Sequence, residues 1–485
     1  MNARHNYAWP DEEGSNLSGW RMTTDERARV RDLPETPAEI SADSRWPAFF
    51  PVSLSIATAA HGGATAMERI TGASIVNRFP YILAISVCRE DLSRRHHARR
   101  TFMRLLEGSG HCAIQFPTPG RPLDIVLDVL AQVSEDQSDQ RIAATELTTR
   151  RAVTGPSVIF DDSYLVYEGR LAEPTEDLEG HAVFPSPWID VGSHRLYFLE
   201  VTAIQLRREI AAGDERIRWC GLPSWNGEYA TTSNDAASNL PASRINVGAT
   251  GIGSRYIKSY TPHYEFPSAG TVGFEPNGFG DGIAIRALPK HAADQIEVND
   301  DRARWPCFFP SSVGMITTWA DPNTPNLMPC GSTTVVSRSP LVIAPCVSYA
   351  KINQRYAPRA TLDIIRRTGR FGCGVPFLRA DVVSAIRVAG TRSIIDDPHK
   401  VSTSGLEVQS SGPSPVLPAL PIHFDCEVTA EVRMGTHVMF LGEARRIRVR
   451  RDVHAANPIT WCPWADVTER SVESIVGVEK ELASG

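Results

Sequence analysis

The feature that most limits what this chain can fold into is an internal repeat. The run Arg45-Trp46-Pro47-Ala48-Phe49-Phe50-Pro51 recurs as Arg304-Trp305-Pro306-Cys307-Phe308-Phe309-Pro310, an offset of 259 positions. After a gap the likeness resumes at an offset of 243, where Gly192-Ser193-His194 matches Gly435-Thr436-His437. Matches that keep their order over two long segments are the signature of a duplicated structural unit. The sequence therefore predicts two copies of one domain.

The repeat divides the 485 residues into five parts. An N-terminal extension covers 1–43, the first copy covers 44–226, and the second copy covers 301–468. The stretch 227–300 between the copies is rich in Gly, Asn, Tyr and Pro, and we interpret it as an ordered loop or lid. The tail 469–485 carries apolar residues at helical spacing and is predicted to be a helix.

Each copy is predicted to consist mainly of strands with one helix. Val52–Thr58 alternates apolar and small polar residues, whereas Tyr81–Val87 and Leu341–Val347 are short apolar runs typical of buried strands. The predicted helices begin at Thr101 and Thr361, with the threonine as N-cap, and both stop at a glycine. A mostly antiparallel sheet with few helices favours a mainly β fold, with a closed or partly closed barrel in each copy.

Composition excludes several classes of function. The net charge is −6 and there is no long basic run, so we expect no nucleic-acid partner. No apolar run approaches the roughly 20 residues that span a bilayer, and we expect no membrane partner. The nine cysteines include no Cys-x-x-Cys pair, which favours reduced, buried thiols in a cytoplasmic protein. We expect no bound metal.

The second copy carries a succession of recognisable segments. These are Pro325–Thr334 with Asn326-Leu327-Met328, Val336–Leu341, Arg355–Thr361 followed by Gly369-Arg370-Phe371, Ala385–Gly405, and Gly435-Thr436-His437. In this order they resemble the flavin reductase-like family, over nearly all of 304–453. The resemblance implies two tandem FMN-binding split β-barrel domains, antiparallel and Greek-key-like, with a few helices.

The resemblance also implies a cofactor site. FMN, or alternatively FAD, would be the cofactor, and NADH or NADPH the hydride donor. A helix N-terminus with nearby arginines suits a phosphate dianion. The residues implied to bind the cofactor are Asn326, Met328, Cys330, Thr333, Ser348, Tyr349, Arg355, Arg359 and Thr361 in the second copy, and Arg95, Arg99, Thr101 and His194 in the first. His437 is the implied catalytic residue, beside the flavin and the nicotinamide.

The leading hypothesis is therefore an NAD(P)H:FMN oxidoreductase whose two copies pair within the chain as a pseudo-dimer. Its reduced flavin would pass to a partner monooxygenase or to a small organic substrate, and a further homodimer is an open alternative. A second hypothesis is an FMN enzyme acting directly on an organic metabolite, motivated by the long stretch 227–300. A third is a non-catalytic split barrel with decayed sites, motivated by Pro329, where the family usually has threonine, and by Glu68 in the first copy.

Overall fold

The structure is a computed structural model, and it describes part of the chain. The described residues are 20–33, 55–208, 275–276, 283–287, 312–349, 359–375 and 382–450, with gaps inside these ranges at 23–24, 26, 71, 78–79, 90–98, 119–120, 178, 339, 383–384, 386–387, 391 and 411. We call 55–208 the N-terminal half and 312–450 the C-terminal half. The predicted helix at 469–485 lies outside the described residues.

The described residues are mainly strands, and every strand pairing is antiparallel. Before residue 210 the strands are β1 Trp20–Met22, β2 Ala28–Asp32, β3 Ser55–His61, β4 Ala64–Ile70, β5 Gly72–Asn77, β6 Ile82–Cys88, β7 His111–Pro117, β8 Thr149–Arg151, β9 Val158–Phe160, β10 Ser163–Leu171, β11 Thr175–Glu176, β12 Ala182–Val183, β13 Trp188–Val191 and β14 His194–Arg207. After it they are β15 Glu275–Pro276, β16 Ile283–Ala287, β17 Ser312–Asp321, β18 Thr324–Arg338, β19 Leu341–Ser348, β20 Arg370–Val375, β21 Ile422–Arg433 and β22 His437–Arg450.

The helices are few, as expected for this fold class. They are α1 Arg100–Ser109, α2 Arg121–Gln132, α3 Ser138–Ala144, α4 Ala360–Thr368 and α5 Lys400–Thr403, with a 3-10 turn at Glu135–Gln137. No helix in the described ranges has the length and apolar character that a membrane span requires.

The C-terminal half forms a closed six-stranded barrel. Its strands follow the order β17, β18, β19, β22, β21 and β20, and β20 pairs with β17 to close the ring. The long strand β18 serves two neighbours, because its first part pairs with β17 and its last part with β19. Buried apolar side chains such as Ile316, Ile343, Phe371, Phe424 and Ile447 fill the core, and their burial is the main stabilising contribution. The predicted barrel is confirmed here.

The N-terminal half contains a large sheet with the same order of pairing. Strands β3, β7, β10, β14 and β6 are neighbours in that order, while β4 pairs with β3 and β5 with β6. Strands β4 and β5 together occupy the place of β18, with residue 71 between them. The strand pairings of the two halves therefore correspond one to one.

The two predicted helices exist, but their starts differ from the prediction. Helices α1 and α4 both end at a left-handed glycine, Gly110 with φ +68° and Gly369 with φ +66°, where a side chain would be strained. The N-cap residues are Arg99 and Arg359, so the prediction of threonine N-caps is wrong. The prediction of one helix per copy is also wrong, because α2, α3 and α5 exist as well.

Each half also receives a strand from sequence that precedes the other half. Strand β2 pairs with the end of β22, and β16 pairs with the end of β14. The first parts of β14 and β22 pair with β6 and β19, so this edge stays open only along their last residues. Part of the predicted loop 227–300 is therefore strand. The sequence carried a signal for this, since Arg31-Asp32-Leu33-Pro34 recurs as Arg286-Ala287-Leu288-Pro289.

A shared apolar cluster joins the two halves. It is built largely from residues at matching strand positions, namely Val76 and Val336, Ile82 and Val342, Ala84 and Ala344, Leu196 and Met439, and Phe198 and Leu441. All of these side chains are buried, with at most 5 % of their surface exposed. The same strand positions of both halves therefore face one interface, which is the pattern of an isologous contact.

Candidate functional site

The start of helix α4 brings three of the predicted site residues together. Thr361 lies in the first turn of α4, and its hydroxyl accepts a hydrogen bond of 2.9 Å from the amide nitrogen of Asn326 on β18. The same nitrogen donates to Thr318 Oγ1 at 3.2 Å. The oxygen of the Asn326 amide is buried and has no hydrogen-bond partner. An unsatisfied buried acceptor next to helix N–H groups marks a place where a further polar group fits.

Lys400, which sequence reasoning missed, lies beside this helix start. Its side chain is only 3 % exposed although α5 packs on β18 near the surface of the barrel. Burial and the positive charge of Arg359 lower the pKa of Lys400 to about 8, against an opposing effect of Asp397. Asp397 is engaged by Arg392 at 2.8 Å, and no described side chain forms an ion pair or hydrogen bond with the ammonium group of Lys400.

A buried lysine without a counter-charge is costly, because the charged form loses its hydration. Two cationic groups, Lys400 and Arg359, therefore face the N-terminus of α4, whose own peptide dipoles favour an anion. The only sequence signal for Lys400 was the likeness of Ala385–Gly405 to the family's middle segment, which did not single out this residue.

A second group of predicted residues lies at the adjoining ends of β19 and β22. Ser348 and His437 are directly opposite each other across the two strands. The Nδ1 atom of His437 is 2.7 Å from the hydroxyl of Thr436, and the backbone N–H of Tyr349 donates to the carbonyl of Thr436 at 3.1 Å. The N–H of Arg359 donates to the carbonyl of Ser348 at 3.4 Å. This contact connects the second group to the start of α4.

Tyr349 is held by a loop of the N-terminal half. Its hydroxyl donates to Asp177 Oδ2 at 2.5 Å, and Arg433 stacks over its ring at 5.4 Å. Burial and the neighbouring carboxylate raise the pKa of Tyr349. Burial acts to raise the pKa of Asp177, but its hydrogen bonds from Tyr349 and from two backbone N–H groups outweigh that effect and lower it. The phenol therefore stays neutral and acts as a donor.

The remaining predicted residues of β18 lie inside the barrel. Met328 and Cys330 belong to its apolar core. The thiol of Cys330 donates to the carbonyl of Cys346 at 3.2 Å, and Thr333 donates to the carbonyl of Cys330 at 2.9 Å. Burial raises the pKa of the Cys330 thiol, so it is an unreactive packing group at neutral pH. The predicted residue Arg355 lies outside the described residues.

In the N-terminal half the predicted residues are differently engaged. Arg99 lies 3.2 Å from the carboxylate of Glu68, and the N–H of Thr101 donates to Glu135 Oε1 at 2.5 Å. The Nδ1 atom of His194 is 2.8 Å from the hydroxyl of Ser193, the same contact that His437 makes with Thr436. Arg95 lies outside the described residues.

Reciprocal polar contacts tie the halves together next to His437. The side-chain oxygen of Asn77 accepts hydrogen bonds from Thr436 N at 2.9 Å and from Thr436 Oγ1 at 2.7 Å. At the matching positions Ser337 lies 3.4 Å from Ser193. One contact involves the N-terminal half's strand end with the C-terminal half's turn, and the other has the roles exchanged. His437 is therefore positioned at the contact between the halves.

Comparison with known proteins places the C-terminal half in a family. Residues 306–465 match the family described as flavin reductase like domain. A search of the curated proteins found no match to the chain. This segment of the chain therefore belongs to the flavin reductase-like family, as its sequence motifs predicted.

Solved structures with this fold include three that illustrate the family. Flavoredoxin from Methanosarcina acetivorans is 18 % identical, with 31 % of this chain and 74 % of that chain covered and a TM-score of 0.27. Flavin reductase HpaC complexed with NADP+ is 17 % identical over 31 % and 76 %, with a TM-score of 0.23. Nitrilotriacetate monooxygenase component B from Bacillus cereus is 16 % identical over 30 % and 74 %, with a TM-score of 0.26. Membership therefore depends on the sequence match to 306–465.

The residues at the start of α4 fit the phosphate of a flavin mononucleotide. The uncompensated charge of Lys400, the guanidinium of Arg359 and the N-terminus of α4 are all complementary to a dianion. The unpaired oxygen of Asn326 can accept a hydrogen bond from a hydroxyl of the same ligand. No described carboxylate lies at this helix start to compete with an anion.

Proposed function

We propose that this chain is an FMN-dependent oxidoreductase that takes hydride from NADH or NADPH, with its flavin bound in the C-terminal half. The observation that carries the proposal is the buried, uncompensated Lys400 beside Arg359 in a flavin reductase-like domain. A protein tolerates such a charge where a ligand neutralises it, because an unpaired buried cation otherwise only destabilises the fold.

Each group of residues has a proposed task. Arg359, Lys400 and the first turn of α4 hold the phosphate, and Asn326 and Thr361 position the chain that links phosphate and ring. When bound, FMN supplies the hydride chemistry, and the protein supplies orientation and electrostatics. Ser348 and Tyr349 line the approach to the ring, with Tyr349 held in place by Asp177.

His437 is the proposed catalytic residue. Its Nδ1 atom is engaged by Thr436, so we assign proton exchange to Nε2. Its backbone N–H is 3.2 Å from the side-chain oxygen of Asn77, which belongs to the N-terminal half. The N-terminal half therefore orients the histidine of the C-terminal site.

We further propose that the chain is a tandem duplication whose halves pair as a pseudo-dimer. Three observations support this: the same order of strand pairing in both halves, the apolar cluster built from matching positions, and the exchange of β2 and β16 between the halves. A fused pair keeps both partners at a fixed ratio and allows their sequences to diverge.

The decisive experiment is an anaerobic titration of the purified chain. After incubation with FMN and removal of free flavin, we expect a flavin absorbance spectrum that bleaches on addition of NADH or NADPH. Lys400→Met serves as the control, and it should retain little flavin.

The other outcomes separate the alternatives. Bound flavin that neither nucleotide reduces would favour an enzyme that acts directly on an organic substrate. A chain that takes up no flavin at micromolar concentrations would refute the proposal and favour a non-catalytic barrel.

A further inference from the structure

The start of helix α1 is the N-terminal half's counterpart of the proposed phosphate site, and it already holds an anion. The N–H of Thr101, in the first turn of α1, donates to Glu135 Oε1 at 2.5 Å. Glu135 lies in the 3-10 turn between α2 and α3, well separated from α1 in sequence. The unpaired N–H groups at a helix start attract anions, and here a carboxylate of the same chain satisfies one of them.

A second carboxylate neutralises the arginine at this helix start. Glu68 on β4 is 1 % exposed and lies 3.2 Å from the Nε atom of Arg99. It also forms a buried ion pair with Arg141 of α3. The guanidinium of Arg141 is fixed further by the carbonyls of Met67 at 3.1 Å and Val133 at 2.9 Å. Burial raises the pKa of the Glu68 carboxyl, and the charges of Arg99 and Arg141 oppose that rise.

The matching strand position in the C-terminal half carries no charge. Glu68 pairs with Ala57 across β3 and β4, and Met328 pairs with Ile316 across β17 and β18. Among the described residues, the helix start in the N-terminal half thus has two arginines and two carboxylates, which balance. Its counterpart has Arg359 and Lys400 with no carboxylate bound to either ammonium or helix start.

We propose that Glu135 and Glu68 take in the N-terminal half the place that a phosphate takes in the C-terminal half, so that each chain binds one FMN. The segment α2–α3, which packs on β4, thereby acts as a built-in ligand that closes the first site. The count of one flavin depends on the proposed function, whereas the closure by carboxylates does not.

The count is tested by titrating the full-length chain with FMN and following flavin fluorescence. We expect one FMN per chain for the wild type, and no site of comparable affinity in Lys400→Met. Two equivalents in the wild type would overturn the proposal, as would a full equivalent of FMN bound by Lys400→Met, because the N-terminal site would then be open.

The closure is tested without flavin, by thermal unfolding with and without inorganic phosphate. Glu135→Ala removes the anion from α1, and Asp139→Ala removes an exposed acidic group of α3 that does not contact α1. We expect Glu135→Ala to melt a few degrees below both other proteins in phosphate-free buffer, because a carboxylate at a helix start is stabilising. Inorganic phosphate should raise its melting temperature more than theirs.

The two tests fail in different ways. If the wild type binds no FMN, the proposed function is wrong, and the melting experiment still decides whether the first site is closed. If Glu135→Ala melts with the wild type, or if phosphate raises all three melting temperatures equally, Glu135 does not fill an anion site and the inference is overturned.

Discussion

Lys400→Met changes two properties of the protein in opposite directions. The lysine is 3 % exposed, and burial together with Arg359 lowers its pKa from 10.5 to about 8. Each pKa unit corresponds to 1.36 kcal/mol, so the charged side chain destabilises the flavin-free fold by about 3 kcal/mol. Methionine keeps most of the apolar stem and removes the charge. We therefore expect the flavin-free variant to be more stable than the wild type, by up to about 3 kcal/mol at pH 7.

The same substitution should weaken FMN binding. A charge-assisted hydrogen bond contributes about 1.5–3 kcal/mol, which corresponds to a loss of affinity between about tenfold and about 150-fold. Urea unfolding of the flavin-free protein measures the first effect, and fluorescence titration with FMN measures the second. Arg370→Met, which removes a positive charge from an exposed position on β20, is the matched control and should change neither quantity appreciably.

Either of two results would refute this reasoning. A flavin-free Lys400→Met variant that is less stable than the wild type would show that the ammonium group has a favourable partner. An FMN dissociation constant within twofold of the wild type would show that Lys400 does not contact the phosphate.

Three further predictions follow from the same geometry. The depressed pKa of Lys400 means that its destabilising effect is complete below pH 8 and is relieved as the pH rises towards 10.5; FMN affinity should accordingly fall above pH 8 in the wild type, and a fall of the same size in Lys400→Met would contradict the assignment. Thr361→Val removes the acceptor of the 2.9 Å bond from Asn326 and should cost about 1–3 kcal/mol in urea unfolding, while Thr361→Ser should cost less; equal losses would show that the hydroxyl is unimportant. Gly369→Ala should destabilise the C-terminal half by about 1–2 kcal/mol, because φ is +66° while no atom lies within 4 Å of the added methyl group; an unchanged unfolding midpoint would show that the helix end rearranges.

Local patterns in the sequence predicted the elements of this fold. Strands such as β6 and β19 were identified from short apolar runs, and the glycines that end α1 and α4 were identified from the break in helical spacing. These predictions succeeded because strand and helix periodicity, and the left-handed conformation of glycine, are properties of residues close together in the chain. The starts of the helices were predicted less well, since arginine rather than threonine holds the N-cap position.

The sequence by itself determined that two similar segments fold as mainly β units and that the second is flavin reductase-like. Only the tertiary structure brought Lys400 to Arg359, Glu135 to Thr101, and Asn77 to His437. None of these pairs is close in sequence, and each depends on how strands and loops pack across a barrel or between the halves. The exchange of β2 and β16 was likewise decided by which strand edge remained open after the rings had formed. Periodicity reports the face on which a residue lies, whereas the opposing residue is chosen by packing over the whole chain.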